Sequence, residues 1–123
     1  MTVTREDVQA LIADSLKKHL YVVLHYPVGS HEAMIAKMPE HLRYMEDIED
    51  RIFLSGPLLR EGVVVDRGLT ILKTDDEAEA RALMDGEPLI RDGLRRYELK
   101  LWRVQEGSMS ITMSGARGRV AIG

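Results

Sequence analysis

Apolar and polar positions follow two periods along this chain, and the switches between them mark its elements. Val8, Leu11, Ile12 and Leu16 recur at helical spacing, and Thr4 with Asp7 three residues on forms a helix start, so residues 4–17 are predicted as a short amphipathic helix. His19 to Tyr26 is rich in β-branched and aromatic residues, apolar on both faces, and ended by Pro27. Such a strand is predicted at the centre of a sheet. Its two faces are Leu20, Val22, Leu24 and Tyr26 against His19, Tyr21, Val23 and His25. A helix capped by Ser30 follows. At 100° per residue, Met38, Met45 and Ile48 all fall within roughly 40° of Met34. Pro39 is expected to kink that helix or to begin a second part of it.

Ile52 to Pro57 reads as a second strand, residues 58–68 as a loop or loose hairpin with turns at Glu61-Gly62 and Arg67-Gly68, and Leu69 to Lys73 as a third strand. Thr74-Asp75-Asp76-Glu77 has the form of a capping box, opening a helix that stops at Gly86. Glu87 precedes Pro88, which favours extended backbone and places Glu87 at the N-cap of a further turn. Leu94 to Val104 alternates, with Tyr97, Leu99 and Leu101 on one side and Arg96, Glu98 and Lys100 on the other, as an edge strand or cleft wall would. The remainder to Gly123 reads as a β-hairpin or a tail.

The core order is therefore β-α-β-β-α-β. This is the ferredoxin-like, α+β arrangement: an antiparallel sheet with both helices on one face. One domain is expected over 1–123, with a helical extension at 1–17, the core at 19–104 and a hairpin or tail at 105–123. A first strand apolar on both sides needs cover on the sheet's second face, and nothing left in the chain supplies it. A second copy, sheet against sheet, is the simple solution, so a homodimer is expected.

Composition narrows the function classes. Forty-five per cent of residues are hydrophobic and 30% charged, as in a globular domain. The net charge of −3 speaks against a nucleic-acid footprint. With no cysteine there is no disulfide framework, thiolate zinc site or thiol nucleophile. The apolar run at Leu20 to Leu24 is too short to span a membrane, and the polar start lacks a signal peptide's apolar core, so a cytoplasmic protein is expected. No Gly-x-Ser-x-Gly elbow and no glycine-rich phosphate loop is present. Arg95, Arg96 and Arg103 make a short basic group, read as a solvated edge in preference to an anion site.

His41 is the sharpest chemical clue. It falls in the middle of the methionine stripe, where an imidazole must find a partner or stay neutral. It is either a general acid or base or a core histidine bonded to a backbone carbonyl.

The stretches YVVLHYP at 21–27, EHLRYMEDIEDRIFLSGPL at 40–58, GLTIL at 68–72 and EARALMDGEPLIRDGLRRYELKLWRVQEG at 79–107 together resemble the YCII-related, or YciI-like, family. That resemblance implies a dimeric α+β barrel. It also implies an acid–base dyad of the helix histidine and the acid before the proline, here His41 and Glu87. The family's usual aspartate is replaced by glutamate, with Asp85 two residues earlier. On this reading the chain is a small cofactor-independent enzyme of isomerase, lyase or hydrolase type, acting on a small organic molecule. His41 moves the proton and Glu87 orients it; His25, Ser55 and Asp85 contact the substrate. Two imidazoles and a carboxylate could hold a metal, but the spacing matches no compact metal motif, so neither metal nor cofactor is expected. The alternative is a non-catalytic homodimer that binds a small ligand or serves as an accessory module, with His41 and Glu87 as structural polar groups. On either reading, no nucleic-acid or membrane partner is expected.

Overall fold

The computed structural model describes residues 2–11, 18–108, 111–114 and 119–122. They form two compact units. One, His19–Arg103, is the core; the other gathers the two ends of the chain.

In the core unit a four-stranded sheet runs in the order β2-β3-β1-β4, from strands β1 (Lys18–Pro27), β2 (Ile52–Arg60), β3 (Val63–Leu72) and β4 (Arg95–Val104). Helices α2 (His31–Asp47), α3 (Glu77–Asp85) and α4 (Pro88–Arg91) complete it. This is the expected ferredoxin-like α+β arrangement, with β1 central and β4 at an edge. The β1–β3 register pairs Tyr21 with Leu72, Val23 with Thr70 and His25 with Gly68. Cross-strand partners share a face. This face carries the core: Val23, Leu72, Ala80 and Met84 are fully buried, with Tyr21, Ile48, Ile52, Leu83, Ile90, Tyr97 and Leu99 packed around them.

Of the loop or loose hairpin expected over 58–68, the structure has the hairpin, and it is paired up to its turn. Strands β2 and β3 continue into a tight hairpin in which Leu59 pairs with Val64 and Arg60 with Val63. Glu61 (φ 52°) and Gly62 (φ 78°) form its turn. Positive φ at both central residues matches the right-handed twist of the strands, so pairing extends to the turn and absorbs Arg67-Gly68. Helix α2 runs through Pro39, whose side is exposed, so the missing N–H bond lies where water can satisfy the freed carbonyl. The predicted stripe Met34, Met38, His41, Met45 and Ile48 is the half-buried face of this segment.

At α3 the N-cap is Asp76, whose carboxylate accepts from Ala78 N and Glu79 N, while Thr74 donates to Glu79. Gly86 closes this helix in ordinary right-handed backbone (φ −83°), so it is not a left-handed cap. Its role is clearance: a Cβ there would stand 2.8 Å from the Tyr44 hydroxyl, which donates to Leu83 O at 2.6 Å.

The other unit contains helix α1 (Arg5–Leu11) and a hairpin of β5 (Ile111–Ser114) and β6 (Arg119–Ile122). Thr4 and Asp7 cap α1 reciprocally, as predicted: Asp7 N donates to Thr4 Oγ1 and Thr4 N to Asp7 Oδ2. The predicted continuation of α1 over 12–17 and the turn at 115–118 lie outside the described residues. Among the described residues no helix is long and apolar enough to cross a membrane.

Candidate functional site

Glu87 and His41 meet. Glu87 has the extended backbone of an N-cap (φ −69°, ψ 127°), and its Oε1 accepts from Leu89 N at 3.1 Å. The extra methylene of glutamate is absorbed because the same oxygen reaches across to α2, where His41 Nδ1 lies at 2.6 Å. Pro88 at the first helical position removes a donor that would otherwise compete. The Glu87 side chain is 1% exposed and that of His41 15%. Burial pushes the Glu87 carboxyl up, but the hydrogen bonds from His41 and Leu89, the imidazole charge and the Arg95 guanidinium together bring it below its ordinary value. A carboxylate acceptor at Oε1 assigns the proton of His41 to Nδ1. His41 Nε2 has no hydrogen bond among the described residues and is not among the buried unpartnered atoms, so it faces outward.

A second polar chain stands on the sheet beside this pair. His25 Nε2 lies 2.9 Å from Thr70 Oγ1, and Thr70 Oγ1 lies 2.7 Å from Ser55 Oγ. His25 is 5% exposed and Thr70 1%. Simple alternation from Ile52 would turn Ser55 to the opposite side of the sheet. A bulge prevents that: Ile52 pairs with Leu72 but Leu54 with Ile71, so Phe53 is the extra residue and Ser55 comes level with Thr70. Burial, helped by the Arg95 charge, lowers His25 from 6.5 to about 4 despite the opposing pull of Glu87, so this imidazole is neutral near pH 7.

Two atoms of the cluster remain buried without a partner, His25 Nδ1 and Glu87 Oε2. Arg95 adds a half-buried cation whose charge acts on both residues. Its strand borders β1 antiparallel, with Val28 N donating to Leu94 O at one end and Arg103 Nε to His19 Nε2 at the other. The odd-numbered residues of β4 thus share the face of His25, and Arg95 belongs to the site while Arg96 lies over the Tyr26 ring on the other face. Sequence reading placed both arginines on a solvated edge. The signal that separates them is the Tyr97–Leu99 alternation, which carries Arg95 with it.

Asp85 is elsewhere. It is exposed and accepts from the Tyr97 hydroxyl at 2.7 Å, with no bond to His41. A groove of about 840 Å³ between the end of α2 and β2 includes Met45, Glu46, Ile52, Phe53 and Ser55, but neither His41 nor Glu87 lines it. Among the described residues no three His, Asp or Glu side chains converge as metal ligands.

No curated protein matches the chain. A solved structure does: 5-chloro-2-hydroxyhydroquinone dehydrochlorinase from Burkholderia phenoliruptrix AC1100, in complex with 2,5-dihydroxybenzoquinone. The two share 21% identity with a TM-score of 0.59, over 72% of this chain and 95% of that one, a likeness of fold. The residues that build both polar chains, from His25 to Arg95, all fall within residues 19–103, which match the YCII-related domain, and the chain belongs to that family.

Proposed function

We propose that this protein is a small cofactor-independent enzyme that moves a proton on a small organic molecule, with His41 as acid–base and Glu87 as its orienting partner. The observation that carries this reading is the 2.6 Å contact between His41 Nδ1 and a buried Glu87 oxygen. It leaves Nε2 as the working atom. Nε2 takes a proton from substrate carbon or oxygen, the Glu87 carboxylate stabilises the imidazolium that forms, and the proton returns to product or water. If a leaving group departs with its electron pair as the C–H pair becomes a double bond, the step is an elimination. The dehydrochlorinase of similar fold favours elimination over isomerisation or hydrolysis for this chain. His25 and Ser55 contact the substrate in this reading, and Asp85 is held by the Tyr97 hydroxyl instead.

The protein acts as a homodimer in this proposal. Leu54 and Trp102 lie on the sheet face away from His41 and are 53% and 45% exposed. A second copy covering that face would bury them.

The test is turnover by wild type, His41→Ala and Glu87→Gln on a panel of chlorinated hydroquinones, followed by chloride release. Enolisable keto acids, followed by deuterium uptake from D2O, extend the panel. The expected result is wild-type turnover falling about 100-fold or more in His41→Ala. Turnover unchanged in both variants, or none by wild type across the panel, contradicts the reading and favours a ligand-binding dimer without catalysis.

A further inference from the structure

The cluster has more polar capacity than its own residues use. Glu87 Oε2 is buried and open, and a carboxylate oxygen can only accept, so it calls for an O–H or N–H donor. His25 Nδ1 is likewise buried and open. Arg95 is half-buried on the same face, and it is in none of the ion pairs among the described side chains. Its neighbours Arg91, Arg96 and Arg81 on the surface all form such pairs. Glu87 attracts Arg95, but its Oε1 is already engaged by His41 and Leu89. Burial works against the Arg95 charge, so a desolvated guanidinium without an anion is costly. A planar fork of five donors, coupled by charge to a buried carboxylate with an acceptor that lacks a donor, defines the two groups a ligand should carry.

We infer that the site takes an organic anion that also bears a hydroxyl, with its carboxylate or phenolate on the Arg95 guanidinium and its hydroxyl donating to Glu87 Oε2. This rests on the proposal that His41 and Glu87 form the working pair, and it adds the substrate class. The anion is held at the β4 edge, and the hydroxyl fixes the molecule against the carboxylate that orients His41. Arg95 is then a specificity-determining residue. It selects charged over neutral molecules of the same shape, and Arg95→Met removes the selection while leaving the His41–Glu87 hydrogen bond its own two partners.

The probes are 2-, 3- and 4-hydroxybenzoate, which span different separations of charge and hydroxyl, and the three matching hydroxybenzamides, which are neutral. Calorimetry on the whole protein gives affinities, and NMR follows the Arg95 Nε–H and His41 Nδ1–H signals. At least one hydroxybenzoate is expected to bind about 10-fold or more tightly than its amide and to shift the Arg95 signal. In Arg95→Met that preference should fall to near unity, with the His41 signal still present as the check on folding and on the pair. Equal affinity for acid and amide, a preference that survives in Arg95→Met, or no binding of any probe at millimolar concentration overturns the inference. Failure with the His41 signal intact counts against the substrate class alone; absence of that signal in wild type counts against the pair itself.

Discussion

The two ends of one sheet face are built differently. At one end Val23, Leu72, Ala80 and Met84 are each 0% exposed and pack as one cluster with further hydrophobic side chains around it. At the other, Glu87, Thr70 and His25 are 1%, 1% and 5% exposed and all polar. The apolar end leaves no buried polar atom without a partner among the described residues. The polar end satisfies most of its atoms internally and leaves Glu87 Oε2 and His25 Nδ1 open. Burial of a polar atom without a partner costs stability, so an end built this way reads as a place kept for something else. The fold is held at one end and the chemistry is offered at the other.

Four substitutions separate the ends. The largest expected effect is at the apolar one. Met84→Ala opens a cavity in a fully buried position and should cost about 2–5 kcal/mol in urea denaturation, while leaving the His41–Glu87 contact in place. Next is the acid sensitivity of His25. Its folded value, about 4, lies below the ordinary 6.5, so the unfolded chain binds the extra proton and stability falls as pH drops through that interval. Wild type should lose about 2 kcal/mol between pH 7 and pH 5, and His25→Gln should lose much less. Glu87 adds to the loss only below its ordinary carboxyl value of 4.5, because its folded value is depressed. His41→Ala leaves Glu87 Oε1 with Leu89 N alone and should cost about 1–3 kcal/mol near pH 7. The smallest effect is Ser55→Ala, which removes the exposed end of the hydroxyl chain and should cost about 1 kcal/mol or less.

The same division governs what the sequence revealed. The methionine stripe carries its period through 14 positions of α2 and the turn after it, so the helix face and the place of His41 on it were legible. So was Glu87 at an N-cap, because Glu-Pro is a local signal. That His41 and Glu87 meet is a contact between residues 46 apart, and only the family resemblance suggested it. Ser55 was singled out from its Ser-Gly-Pro setting, but its side of the sheet, and so its bond to Thr70, depends on the Phe53 bulge, which has no local signature. The β2–β3 hairpin was legible as one of two forms with its turn at Glu61-Gly62, but its full strand pairing was not, because it needs positive φ at Glu61, which few residues other than glycine and asparagine favour. Arg95 was passed over because strand alternation separates neighbours that composition groups together, and it sends Arg95 and Arg96 to opposite faces.

The most direct test of the account is the proton between His41 and Glu87. A 2.6 Å hydrogen bond to a buried carboxylate should place the His41 Nδ1–H proton well downfield of an ordinary imidazole N–H, protected from exchange with water. The measurement is a low-temperature proton NMR spectrum of wild type and Glu87→Gln, with the signal assigned through labelled histidine. The account predicts a downfield signal in wild type that moves upfield or disappears by exchange in Glu87→Gln. An ordinary His41 signal in wild type, or one indifferent to Glu87→Gln, would contradict it.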